Sequence, residues 1–337
     1  MKIDKRLIFA ILGVVIIVLG GAFVLWLRTP KGYSGKMESI AIGIPSSFFA
    51  YTHTCIAEDQ RFFARNGIIV TIRDYDQGLD AIDSMLNGGV DIAAPSEFPI
   101  VEKALKKERV RIIASTIRGE TFYLIGRKDR GIKNTLDLKG KRVGLRRGSI
   151  AEFYFGRFLN LHGMNMKDVT LVEVKSEKLA DAISEGKVDA VITHQPFVYD
   201  IEERLGAHGK VWPAQSGQPM YGIMVSRDDW ITRHPELVNR FVNSLVQAEE
   251  YIINHPDGAK AIIQKRFKFD RASIERMWQV HQFSLSLDQS LITAMEDEAR
   301  WMIKNKLTSE KHVPDFVNYI YIDGLKAVKP EAVNIIH

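Results

Sequence analysis

The sequence has almost no cysteine. Cys55 is its single thiol in 337 residues, which excludes an intrachain disulfide framework and any four-cysteine metal site. Catalytic signatures are missing too. The nine histidines contain no H-E-x-x-H pair, and neither a G-x-S-x-G elbow nor a G-x-x-x-x-G-K-[ST] phosphate loop occurs. His194 stands beside Gln195 without a catalytic partner in sequence. Cys55 reads as a small buried residue rather than a nucleophile. With 11 prolines, 46% hydrophobic and 26% charged residues, the chain is too apolar for disorder and too charged for a polytopic membrane protein. A global charge bias is also absent. Of 46 basic and 41 acidic residues, six basic and one acidic fall in residues 1–36, leaving 40 of each behind them. The body is neutral, so charge gives no reason to expect nucleic-acid binding.

What is present begins with a leader. Leu7 to Leu27 carries no charge over 21 residues, and about 30 Å of helix crosses a bilayer. Trp26 suits the interface at its end. An N-terminal transmembrane helix is therefore expected. The alternative is a cleaved signal peptide, with Gly20-Gly21-Ala22 as the small-residue site, although Phe23 to Leu27 continues the apolar run past it. Arg28 to Lys36 reads as a polar linker. Residues 1–36 thus form anchor or signal plus linker, and the domain behind them is expected outside the cytoplasm.

The body contains a repeat. Asp80 to Pro99 and Lys178 to Phe197 align at one offset, pairing Asp83 with Asp181, Gly88 with Gly186, Val90 with Val188 and Asp91 with Asp189. Each stretch reads as a helix, a glycine stop and a buried strand. Ile40 to Ile44 and Lys141 to Leu145 match upstream, each followed by a serine-bearing loop and a helix. Second strands are expected at Ile68 to Arg73 and Val169 to Val174. Each half reads β-α-β-α-β, the pattern of a parallel sheet under helices. Helices are expected at Pro235 to Asn254, Gly258 to Phe267, Asp270 to Phe283 and Asp288 to Lys304, packing back on the first half. The expected lobes are residues 37–120 with 221–337, and residues 121–220.

Ligands of open parallel sheets sit beyond the carboxyl ends of the strands. That rule selects Pro45–Tyr51, Asp76–Asp80 and Pro95–Pro99 in one lobe, Arg146–Glu152, Lys175–Glu177 and Thr193–Phe197 in the other, and Arg118–Glu120. Their small hydroxyls and aromatics suit a small-molecule pocket. Gly148-Ser149 runs into a helix, whose free N–H groups favour an anion. Ser149 acting only as a cap of that helix is the alternative. Arg146 and Arg147 read as solvated.

Glu58 to Ile68, Gly88 to Ala93 with Ser96 to Pro99, Asp137 to Gly144 with Gly148-Ser149, and Gly186 to Ala190 together resemble ABC-transporter substrate-binding proteins of the nitrate/sulfonate/taurine and thiamine-precursor (pyrimidine) family. The resemblance spans residues 38–265. It implies an α/β, type II periplasmic-binding-protein fold, with two lobes closing on a small solute. The implied partners are an ABC permease and its ATPase. Arg61, and Lys106 to Arg109, depart from the glycines usual in the family. Some relatives form the thiamine pyrimidine using a cysteine-rich motif, and the single Cys55 argues against that enzyme. The expectation is a monomeric, membrane-tethered binding protein for a small anionic or heterocyclic solute, with no catalytic role, cofactor or metal. A sensor working with a separate signalling partner is the alternative. Ser46, Gly78 and Ser149 are expected to donate hydrogen bonds to the solute. Phe48, Phe98 and Tyr221 would form walls, Arg118 would bind an anion, Glu97 or Gln195 would orient the solute, and Ser96 would contact it.

Overall fold

The structure, a computed structural model, describes residues 33–45 and 51–336. The expected membrane segment Leu7 to Leu27 and the candidates Ser46 and Phe48 lie outside the described residues. Among the described residues no helix is long and apolar enough to cross a membrane.

The strands are β1 (Glu38–Pro45), β2 (Ile68–Tyr75), β3 (Ile92–Ala93), β4 (Val110–Gly119), β5 (Phe122–Arg127), β6 (Arg142–Leu145), β7 (Thr170–Glu173), β8 (Ala190–His194), β9 (Gly209–Pro213), β10 (Met220–Arg227) and β11 (His281–Ser286). They form two sheets, ordered β11-β4-β10-β3-β1-β2 in the first lobe and β7-β6-β8-β5-β9 in the second. In each, a parallel triplet (β2-β1-β3 and β7-β6-β8) meets an antiparallel neighbour, β10 or β5. Helices Thr52–Asp59 and Gly78–Leu86 connect the first triplet, and Ile150–Leu161 and Leu179–Ser184 the second. The repeat read from the sequence is therefore a repeat of structure.

Its conserved spacing has a physical cause. Gly88 and Gly186 sit at φ of 76° and 75°, a left-handed turn that ends each helix without a Cβ penalty. Three residues later an aspartate ties the next strand to its parallel neighbour. Asp91 N donates to Ala41 O at 2.8 Å, and Asp91 Oδ2 accepts from Ala41 N at 2.8 Å. Asp189 makes the same two bonds with Arg142, at 2.8 and 3.0 Å. Ile40, Ile42, Ile44 and Ile92, and Val143, Leu145, Val191 and Ile192, are then buried under the helices.

Outside the triplets the local reading gives way to tertiary pairing. The expected helix Asp270 to Phe283 stops at Val280, and His281–Ser286 is a strand. It pairs with the open edge of β4, and Leu285 N donates to buried Glu249 Oε1 at 3.0 Å. Two helices after β10 pack on the first lobe, Pro235–Asn254 against Thr52–Asp59 and Gln289–Lys304 against Phe98–Leu105. The latter helix also touches the second lobe. Gly156 lies so close to Trp301 that a Cβ there would come within 2.6 Å of the indole nitrogen.

The chain crosses between lobes twice, from β4 to β5 and from β9 to β10. Gln215 is fully buried at the return crossing and binds the outgoing one. Its Oε1 accepts from Thr121 N at 2.5 Å and Phe122 N at 2.8 Å, while its Nε2 donates to Gly119 O at 3.2 Å. At the other end of the first lobe Tyr33 N donates to Arg65 O at 3.0 Å, and its ring lies under the Arg240 guanidinium at 4.6 Å.

Asp189 also receives Arg142 Nε and Nη2, at 3.1 and 2.8 Å, and these bonds with the charge of Arg142 hold its carboxyl below the usual range. A carboxyl depressed in the folded state adds stability that is present above its unfolded pKa, about 3.9, and lost as pH falls through the folded value. Replacing Asp189 by alanine should cost about 1–3 kcal/mol at pH 7. Urea unfolding at pH 7 and pH 3 should show a smaller difference at the lower pH.

Candidate functional site

A cavity of about 400 Å³ opens where the carboxyl ends of the two parallel triplets face each other. That volume falls in the range of small-molecule sites, roughly 300–1,000 Å³. The first lobe contributes Pro45, the loop Asp76–Asp80, Ser96 and Phe98; the second contributes Arg146, the turn Gly148–Ala151, Lys175–Glu177, His194 and Phe197. Six of the seven loops selected from the sequence therefore supply wall residues.

The wall has a polar side and an aromatic side. Helices Gly78–Leu86 and Ile150–Leu161 both begin at the cavity. Among the described residues the N–H groups of Gly78, Leu79, Ser149, Ile150 and Ala151 have no hydrogen-bond partner. Free donors at helix starts carry partial positive charge and favour an anion. Part of the second turn is already used. Gly148 N donates to the buried Glu152 Oε2 at 2.7 Å, and Arg147 N to Glu173 Oε2 at 2.8 Å. The aromatic side is built by His194, with Phe122 at 5.2 Å and Phe197 at 5.3 Å between ring centres. Burial lowers the His194 pKa, so its ring is neutral at pH 7 and presents a flat, uncharged face. Arg146 and Lys175 are the cations of the wall, while Asp76, Asp80, Glu102 and Glu177 are its acids. Glu102 is paired with Lys106 at 2.5 Å, and Asp80 accepts from Gln77 N at 3.2 Å.

The structure brings together four of the ten candidates, Gly78, Ser96, Phe98 and Ser149. Ser149 does not cap its helix; its hydroxyl donates to Arg146 O at 2.7 Å. Four others do not line the cavity. Arg118 is held on the β4–β11 face, where Nε donates to Gln282 Oε1 at 2.8 Å and Nη1 lies 3.7 Å from Asp288. Gln195 points its amide toward Tyr123 Oη at 3.5 Å, and its backbone N donates to Thr121 O in the hinge. Tyr221 is buried in β10, with its N donating to Glu97 Oε2 at 3.0 Å. Glu97 is fully buried behind the wall and faces a second buried carboxyl, Glu298. Burial pushes Glu97 up to about 8 and Glu298 well above its ordinary value, so the pair keeps a proton at neutral pH. The wall residues outside the ten candidates include Arg146, taken as solvated, Gln77, His194 and Phe197. Arg146 follows β6 at a carboxyl end, and that position was the available signal. Cys55 is buried as expected, and burial pushes its thiol up to about 12.

The family model described as NMT1/THI5 like matches residues 49–259. The chain belongs to the NMT1/THI5-like family. The resemblance read from the sequence is thus borne out at the level of the family. It is 26% identical over 206 residues to the taurine-binding periplasmic protein of Escherichia coli, covering 59% of this chain and 62% of that protein. Among solved structures, the periplasmic aliphatic sulphonate binding protein SsuA of Escherichia coli superposes with a TM-score of 0.73 at 13% identity, over 84% of this chain and 97% of SsuA. The desulfurization enzyme DszB superposes at 0.65 and 14% identity, over 87% of this chain and 99% of that one. These likenesses show a periplasmic-binding-protein α/β fold. A binding protein and an enzyme share it, so the fold alone does not assign chemistry.

The buried acid pair makes a testable statement about pH. A carboxyl whose folded pKa is raised above its unfolded value, about 4.3, favours folding in its protonated form, and that stability is lost as pH rises toward the folded value. Glu298→Gln should therefore raise Tm more at pH 8.5 than at pH 5, by differential scanning fluorimetry. An equal shift at both values would contradict a shared proton.

Proposed function

We propose that this chain is the extracytoplasmic solute-binding component of an ABC importer. It captures a small anionic or heterocyclic solute between its lobes, residues 37–120 with 221–337 and residues 121–220, and delivers it to a membrane permease driven by its ATPase. The observation that carries this reading is the single cavity wall assembled from the carboxyl ends of two facing parallel triplets. A ligand there touches both lobes at once, so binding favours the closed arrangement, and closure is what a permease can recognise. The free N–H groups of Gly78 and of Ser149 to Ala151 would hold an anionic group, and Phe98, Phe197 and His194 would hold a flat or apolar remainder. The similarity to taurine-binding and sulphonate-binding proteins supports an organic sulfonate as the first solute class to try. The leader would tether the monomer beside its permease and raise its effective concentration there.

The test is a thermal-shift screen of the full chain in mild detergent against sulfonates, inorganic oxyanions, aromatic acids and pyrimidines. A ligand at 100 times its dissociation constant should add about 2.7 kcal/mol of stability. Ser149→Trp, which fills the helix-start side of the cavity, should abolish the shift while leaving the ligand-free Tm within a few degrees. Turnover of a bound compound by the purified chain would overturn the binding-protein reading.

A further inference from the structure

Two side chains from opposite lobes meet across the mouth of the cavity. Gln77 precedes helix Gly78–Leu86 of the first lobe, and Arg146 follows β6 of the second. With its amide oxygen turned to the guanidinium, the orientation that satisfies both groups, Gln77 accepts from Arg146 Nε at 2.8 Å and from Nη2 at 2.9 Å. Two donors on one edge of the guanidinium converge on a single oxygen, where a carboxylate would ordinarily offer two. Here the acceptor is a neutral amide. The nearest carboxylate, Glu173, stands 3.7 Å from Nη1 and already accepts from Arg147 N. The guanidinium is thus held in place and only loosely paired, by Glu173 at 3.7 Å, and about a third of the Arg146 side chain remains exposed beside the cavity.

We propose that Gln77 and Arg146 form a cross-cleft latch that holds the empty lobes together and keeps the Arg146 charge available to select an anionic solute. The inference rests on the binding-protein reading and deepens it: specificity for negative charge comes from which partner the arginine is denied. A carboxylate at position 77 would hold the lobes equally well and cancel the charge. An alanine would release the lobes and leave the charge. Latching and charge selection are therefore separable by substitution.

The experiment uses the full chain carrying Ile69→Cys and Leu136→Cys, two exposed positions on opposite lobes, labelled for fluorescence energy transfer; the native thiol at Cys55 is buried. The ligand probes are ethanesulfonate and its uncharged amide, ethanesulfonamide. Without ligand, Gln77→Ala and Arg146→Gln should lower transfer relative to the parent, whereas Gln77→Glu should keep it. Ethanesulfonate affinity should fall about tenfold or more in Gln77→Glu and Arg146→Gln, and less in Gln77→Ala. The sulfonamide should gain on the sulfonate in Gln77→Glu. Unchanged transfer in Gln77→Ala overturns the latch. Parental sulfonate affinity in Gln77→Glu overturns the charge selection. A parent chain that takes neither probe counts against both the proposed solute class and the charge selection, while the ligand-free distances still decide the latch.

Discussion

The arrangement of this molecule depends on the way two covalent crossings are bound to each other. Each lobe buries its own sheet, and only the β4–β5 and β9–β10 segments carry the backbone between them. Gln215 satisfies three backbone groups of the outgoing segment from the return segment, in a place without exposure to water. An unpaired buried amide costs about 1–3 kcal/mol, so the crossings cannot slide past one another without breaking several such bonds. In the proposed binding-protein reading, the freedom left to the lobes is rotation about this bonded pair, which would open and shut the cavity.

Around this hinge the charges divide into two groups. Those of the cavity wall itself are exposed or half-exposed and answer to solvent and ligand. Two acids behind it are buried and carry protons. Glu97 and Glu298 keep a proton between them, and Tyr154 beside them stays a neutral phenol because burial and the two acids oppose its ionisation. A fully ionised pair there would set two negative charges behind a wall whose helix starts favour anions. The shared proton keeps the rear of the site from opposing its front.

The sequence made the repeat readable because the repeat is enforced by local chemistry. A glycine in a left-handed turn and an aspartate three residues on leave the same trace in both halves. The carboxyl-end rule found the loops for a related reason, since parallel strands all end on one side. It failed at Arg118 because β4 lies between two antiparallel partners, β10 and β11, and its end falls at the hinge against Gln282 and Asp288. Glu97 and Gln195 carry polar side chains in the right loops, but each loop has residues that face the cavity and residues that face away. Which is which is decided by β10 and by the crossing segments, long-range contacts that no local pattern records. Arg146 is the converse case. Read alone it is one more surface arginine at the carboxyl end of a strand, and it is Gln77, from the other lobe, that singles it out.

The docking of Tyr33 has a consequence for geometry at a bilayer. Tyr33 is fastened at the amino edge of the first sheet, by Arg65 and Arg240, about 25 Å of strand away from the cavity at the far end of β1. From Leu27 to Tyr33 the backbone can reach at most about 20 Å. If the leader stays in the membrane, the foot of the first lobe becomes a pivot planted near the lipid headgroups. The second lobe would then be the swinging arm, and the mouth of the cleft would stay within a bounded distance of the surface.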